Sequence, residues 1–219
     1  MPRTRIKFCG MTRPDDVAAA VDLGVDAIGV ILHAPGSPRE IDLPAAERLF
    51  KETPAFVARV GVFVDAPSDT ILDAADRLFL DYAQLHGEPD VDLIHDICAV
   101  KLLLSMPVDD EIEEALRNCP TFPDRAQVAL ALDSGKIGGT GQATDWDKVA
   151  GLDLARWSSV MLGGGMTPEN VGGVIRKLRP DAVDVSSGIE DGVKGFKSIE
   201  RMTAFVEAVQ AADRANVTA

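Results

Sequence analysis

Long apolar runs are missing from this chain: no window approaches the roughly 18 consecutive apolar residues that a membrane-spanning helix needs. The N-terminus, MPRTRIKFCG, lacks the apolar core of a secretory signal. Together these absences predict a cytoplasmic protein with no membrane partner. Cysteine is scarce as well. Cys9, Cys98 and Cys119 are odd in number, far apart and free of any C-x-x-C pair, which argues against a disulfide framework and against a zinc site. Histidine is limited to His33, His86 and His95, so a histidine-rich metal centre is not expected either. Positive charge is in deficit: 22 Lys and Arg against 35 Asp and Glu leave a net −13. That balance opposes binding to nucleic acid and favours solubility, while an anionic metabolite can still be held by local groups.

What is present is an alternation. Short apolar runs occur at 5–9, 27–32, 56–64, 82–86, 99–104, 127–132, 159–162 and 182–186. Most are nearly continuous hydrophobes, the pattern of parallel strands covered on both faces. Amphipathic segments fall between them, at 15–24, 44–52, 68–79, 89–97, 109–118, 145–150, 167–180 and 198–211. Thr12 and Asp15 stand in capping-box spacing before the first of these. Thr167 and Pro168 read as the N-cap and first helical residue of the seventh, with Pro180 as its stop. Eight strand–helix units with no linker predict one domain over residues 1–219, a single (β/α)8 barrel with parallel strands. A doubly wound open sheet is the alternative; it uses fewer strands, and no G-x-G-x-x-G follows the first one.

In such a barrel the active site is built at the C-terminal ends of the strands. The first run ends at Cys9-Gly10, the second leads to Ser37-Pro38-Arg39, the fourth ends in QLHG at His86, and the sixth ends at Asp133. Gly163, Gly164 and Gly165 follow the seventh run, just ahead of a predicted helix; Ser186, Ser187 and Gly188 follow the eighth. Bare backbone amides and hydroxyls at these two places suit a phosphate, because the last two loops are the usual phosphate grip of the fold. Taken singly, each motif is equally compatible with ordinary turn chemistry. A cysteine at a strand end is commonly a small buried hydrophobe, and Cys98 and Cys119 are read as structural. Asp133 either caps the following turn or holds a proton for general-acid work. The glycine-rich stretch after it, SGKIGGTG, is either a surface loop or a lid over the site.

The segments KFCGMTRPDD, SPREI, QLHGE, LDSGKIGGTGQATDW, LGGGMTPENV and VDVSSGIED, in this order and spacing, resemble the phosphoribosylanthranilate isomerase family across essentially the whole chain. The resemblance implies a (β/α)8 barrel of tryptophan biosynthesis. It also implies an Amadori rearrangement of N-(5-phosphoribosyl)anthranilate to 1-(2-carboxyphenylamino)-1-deoxyribulose 5-phosphate, with no metal or organic cofactor. By the same resemblance Cys9 is the general base, Asp133 the general acid, Arg39 the partner of the anthranilate carboxylate, and His86 a pocket residue. The chemistry then asks that burial raise the pKa of Asp133 while that of Cys9 falls. Two positions depart from the family pattern: Ala143-Thr144 stands where an aromatic or histidine is common, and Gly195 where an acid is common. The rivals are a histidine-pathway aminoaldose isomerase, which uses paired aspartates, and a barrel that binds a phosphorylated sugar without turning it over. Monomer and homodimer are both compatible with the sequence.

Overall fold

The computed structural model describes residues 3–87, 94, 97, 100–119, 128–134 and 144–217. Eight parallel strands close in chain order: β1 (Arg5–Phe8), β2 (Ala27–His33), β3 (Ala58–Val64), β4 (Tyr82–His86), β5 (Lys101–Pro107), β6 (Val128–Asp133), β7 (Val160–Leu162) and β8 (Ala182–Val185). β8 returns to β1 in register from Arg5↔Ala182 to Phe8↔Val185, which closes the expected barrel. The described helices are α1 (Pro14–Asp22), α2 (Leu43–Lys51), α3 (Ser68–Leu78), α4 (Ile112–Asn118), α5 (Trp146–Ala150), α6 (Val171–Leu178) and α7 (Ile199–Val217). The helix expected over 89–97, with Cys98, and the glycine-rich stretch 135–143 lie outside the described residues, save Ile94 and Ile97. No helix among the described residues is long and apolar enough to cross a membrane.

Successive strand side chains point to opposite faces, so one set faces the helices and the other the barrel axis. The outward set forms the larger core; there Phe8 meets Phe205 of α7 edge-on at 5.9 Å between ring centres. The inward set includes Val60, Leu103, Ala131 and Met161, a small apolar layer across the barrel. One step further toward the C-terminal ends the inward positions turn polar, with Gln84, Ser105, Asp133 and Asp184 all buried. That change along each strand, apolar floor to polar mouth, is what creates a site.

Several helix starts differ from the sequence expectation. α1 begins at Pro14 behind Arg13, with no side-chain cap; the Thr12 hydroxyl donates instead to the Gly195 carbonyl at 2.5 Å. α6 begins at Val171, not at Pro168 behind a Thr167 cap. The Asn170 side chain accepts from Thr167 N–H at 2.8 Å and donates to Gly165 O at 2.9 Å, so residues 167–170 form a turn tied to the β7 loop. α6 ends with Arg179 in the left-handed region (φ 48°), and α7 runs to Val217, beyond the expected 211. The short α5 stands because Asp145 caps it, accepting from the N–H groups of Asp147 and Lys148 at 3.0 Å each.

Candidate active site

Cys9, Arg39, His86 and Asp133 come together around one cavity at the C-terminal mouth of the barrel, with Gly164, Gly165, Ser186 and Ser187 on its wall. Cys9 follows β1, its N–H donating to Val185 O at 2.9 Å, and faces the same way as Lys7 two residues earlier. Lys7 is buried and its ammonium donates to Asp184 Oδ1 of β8 at 2.9 Å. Burial works against the Lys7 charge, but Asp184 and Cys9 outweigh it and hold the ammonium's pKa above its usual value. For Cys9 the balance runs the other way. Burial pushes the thiol up, Lys7 pulls it down and Asp184 pushes it up again, so the net shift is upward. The sequence-based expectation of a lowered thiol pKa is therefore corrected: desolvation at this depth exceeds the pull of the neighbouring ammonium.

The Asp133 carboxyl is shifted upward, the direction expected from the sequence. It is pushed up to about 6, first by burial and then by the negative charge of Asp184. Two hydrogen bonds from Ser134, its N–H at 2.6 Å and its hydroxyl at 3.3 Å, oppose the shift without cancelling it. Acid and thiol thus line one cavity with both protons retained at mildly acid pH.

Arg39 lies buried against the carboxylate of Glu190, donating from Nε at 2.6 Å and from Nη2 at 2.8 Å. Glu190 also accepts from Gly195 N–H at 2.9 Å and from the buried ammonium of Lys197 at 3.2 Å. Burial would raise the Glu190 pKa, yet Arg39, Lys197 and the Gly195 amide together hold it below the usual carboxylate value. Gly195 sits in the left-handed region (φ 85°), so the departure noted in the sequence places a glycine where the backbone asks for one. Lys197 donates to Ser186 O at 3.0 Å, which links the Arg39 side of the cavity to the β8 loop. His86 rests at 3.1 Å from Gln84 Nε2, and the same amide nitrogen donates to Ser105 Oγ at 2.9 Å.

The two expected phosphate loops interlock. Gly164 and Gly165 both lie in the left-handed region, and a Cβ on Gly188 would collide with the Met166 carbonyl. Among the described residues, the amides of Gly164, Gly165 and Ser187 have no intramolecular acceptor, while that of Gly163 continues the sheet to Leu132 O at 2.7 Å. Thr144, the other departure, donates from Oγ1 to Gly163 O at 3.0 Å and so fastens the far end of the β6 loop to the β7 loop. Lys7, Asp184, Glu190 and Lys197 were not singled out from sequence. Lys7, Asp184 and Glu190 stood inside the quoted motifs, but only their long-range pairing gives them a place in the site.

Residues 6–208 match the family model described as N-(5'phosphoribosyl)anthranilate (PRA) isomerase. The chain is 39% identical to an N-(5'-phosphoribosyl)anthranilate isomerase of Pseudomonas aeruginosa, over 98% of this chain and 99% of that one. It superposes with a TM-score of 0.83 on the crystal structure of phosphoribosyl anthranilate isomerase from Thermus thermophilus, 34% identical and covering 95% and 99% of the two chains. A phosphoribosyl anthranilate isomerase in complex with reduced 1-(o-carboxyphenylamino)-1-deoxyribulose 5-phosphate is similar at 32% identity and a TM-score of 0.79, with the same coverage.

Proposed function

Because the chain belongs to the N-(5'-phosphoribosyl)anthranilate isomerase family, we propose that it catalyses the Amadori rearrangement of N-(5'-phosphoribosyl)anthranilate in tryptophan biosynthesis, with Asp133 as general acid and Cys9 as general base. The protonated Asp133 gives its proton to the furanose ring oxygen as the C1–O bond breaks, leaving an open-chain iminium at C1. Cys9, as thiolate, takes the proton from C2. The electrons of that bond form a C1–C2 double bond as the C1–N π pair returns to nitrogen; the resulting enolamine gains a proton at C1 while its C2 hydroxyl gives one up, leaving the ketone at C2. One acid and one base suffice, so neither a metal nor an organic cofactor enters the scheme.

The observation that carries this assignment is a buried carboxyl raised to about 6 on the same cavity wall as a buried thiol. Arg39 receives the anthranilate carboxylate, its planar fork already oriented by Glu190. The phosphate is held by the loops Gly163–Gly165 and Ser186–Gly188, whose amides at Gly164, Gly165 and Ser187 have no internal acceptor among the described residues. His86, steadied by Gln84, lines the pocket beside the sugar. We place the whole reaction in one barrel domain over residues 1–219, acting in the cytoplasm as a monomer or homodimer without nucleic-acid or membrane partners.

The test is turnover of phosphoribosylanthranilate, made in place from anthranilate and phosphoribosyl pyrophosphate and followed by loss of its fluorescence. Wild type converts it, while Cys9→Ala and Asp133→Asn each lose at least two orders of magnitude in kcat, in line with general acid–base catalysis. Wild type that binds the reduced product analogue but never turns substrate over is a binder and not an isomerase. Full activity in either variant removes that residue from its role.

A further inference from the structure

We propose that Lys7, tethered by Asp184, is the positioning residue that makes the thiolate of Cys9 attainable inside a dry cavity. This rests on the assignment of Cys9 as the base. Lys7 and Cys9 are inward neighbours along one strand, and both crowd Gly29 on β2. A Cβ built on Gly29 would stand 2.9 Å from Cys9 Sγ, 3.0 Å from Lys7 Cε and 3.1 Å from Lys7 Nζ. Only a glycine leaves room for ammonium and thiol to approach across that point. Lys7 is itself immobilised, its ammonium donating to Asp184 Oδ1 at 2.9 Å with both groups buried. A fixed cation beside a buried thiol stabilises the thiolate in the same way that a lysine or histidinium activates other cysteines.

The other charges around the thiol do not substitute for Lys7. Asp184 acts in the opposite sense. Lys197 lowers the thiol pKa less than Lys7 does, and its ammonium is already engaged by Ser186 O at 3.0 Å and Glu190 at 3.2 Å. Arg39 is held bidentately by Glu190, and His86 and Asp133 sit elsewhere on the cavity wall. Lys7 keeps its proton throughout the cycle: Cys9 loses its own proton to reach the thiolate, then gains the C2 proton, while the ammonium contributes charge and a hydrogen bond only. The motif K-x-C thus reads as two inward positions of one strand, base and counter-charge.

The experiment follows alkylation of Cys9 by iodoacetamide against pH in the full chain, with the Cys9 peptide quantified by mass spectrometry to separate it from Cys98 and Cys119. Lys7→Met moves the midpoint of the profile up by at least one pH unit, so below the midpoint kcat falls about ten-fold or more relative to wild type, a deficit that closes at pH values above it. Lys7→Arg, which keeps the charge, stays close to wild type. Gly29→Ala retains Lys7 and Asp184 but wedges a methyl group between ammonium and thiol; it shifts the midpoint upward too, and it decides the matter if Lys7→Met does not fold. An unchanged midpoint in folded Lys7→Met or Gly29→Ala overturns the inference, as does a raised KM with no change in the pH profile, which would make Lys7 a substrate contact. Alkylation needs no turnover, so an inactive wild type would count against the isomerase assignment while leaving this measurement decisive for Lys7.

Discussion

Asp133 and Cys9 share the mouth of the barrel with both pKa values displaced upward, and that displacement sets what the enzyme does with pH. With Asp133 as the proposed acid and Cys9 as the proposed base, the productive form needs the carboxyl protonated and the thiol ionised, the minor arrangement of a pair that holds one proton between the two pKa values. kcat/KM is therefore expected to be bell-shaped, rising through about pH 6 as the pair loses its first proton and falling on the alkaline side as the second leaves. A steady-state profile with no rise near pH 6 would contradict it. The same carboxyl weakens the fold. Its pKa is higher folded than unfolded, so its favourable contribution is present below the unfolded value and lost as pH rises through about 6. A displacement from 3.8 to about 6 corresponds to about 3 kcal/mol. Asp133→Asn is thus expected to be more stable than wild type at pH 7.5, by an amount that shrinks as pH is lowered to 4, in paired thermal melts. At this scale Cys9, Arg39, His86 and Asp133 were legible because each stands at a strand end in a quoted motif. Glu190 and Lys197 were not, since Glu190 meets Arg39 across 151 residues of chain and nothing local announces the pair.

At the level of elements, the β7 and β8 loops are fitted to each other. Gly188 lies so close to the Met166 carbonyl that no side chain fits, and Gly164 adopts φ 84° against Thr144 and Ser134. Gly188→Ala must push the loops apart; we expect a loss of about 1–3 kcal/mol in stability, as for other overpacked sites. KM for the phosphorylated substrate should rise several-fold or more, with a smaller effect on kcat. A variant with wild-type KM would remove the β8 loop from the phosphate grip. Thr144→Val deletes the hydroxyl that holds Gly163 O and is expected to cost about 1 kcal/mol, read as a lower denaturation midpoint with an unchanged slope. The glycine clusters were legible as loops because few other residues turn so sharply. Helix starts were less so: the Thr12 hydroxyl is drawn to Gly195 in the segment after the neighbouring β8, and Asn170 ties its turn back to the β7 loop. A tertiary partner took Thr12 away from the cap its spacing suggested, and the turn built on Asn170 displaced the helix start expected at Thr167.

For the whole molecule, the eightfold strand–helix alternation was enough to anticipate the closed barrel, because continuous apolar runs need cover on both faces. What spacing does not reveal is how the chain ends are joined. Asp213 of α7 accepts from Thr4 N–H at 2.8 Å and from the Thr4 hydroxyl at 2.7 Å, fastening the last helix beside the seam where β1 meets β8. Asp213→Ala leaves the buried Thr4 donors without these acceptors and is expected to cost about 1–3 kcal/mol, lowering Tm by several degrees in a single cooperative transition. A wild-type Tm would show that the clasp contributes nothing to closure. The central claim is that this barrel places an acid and a base on a substrate that other groups hold. Its most direct test is calorimetric binding of reduced 1-(o-carboxyphenylamino)-1-deoxyribulose 5-phosphate to wild type, Cys9→Ala and Asp133→Asn, with kcat measured on the same preparations. Affinities within a few-fold of one another are expected, while kcat falls by two orders of magnitude or more in each variant. Affinity lost in step with activity would contradict it, making Cys9 and Asp133 binding groups and leaving the proton transfers to residues yet to be named.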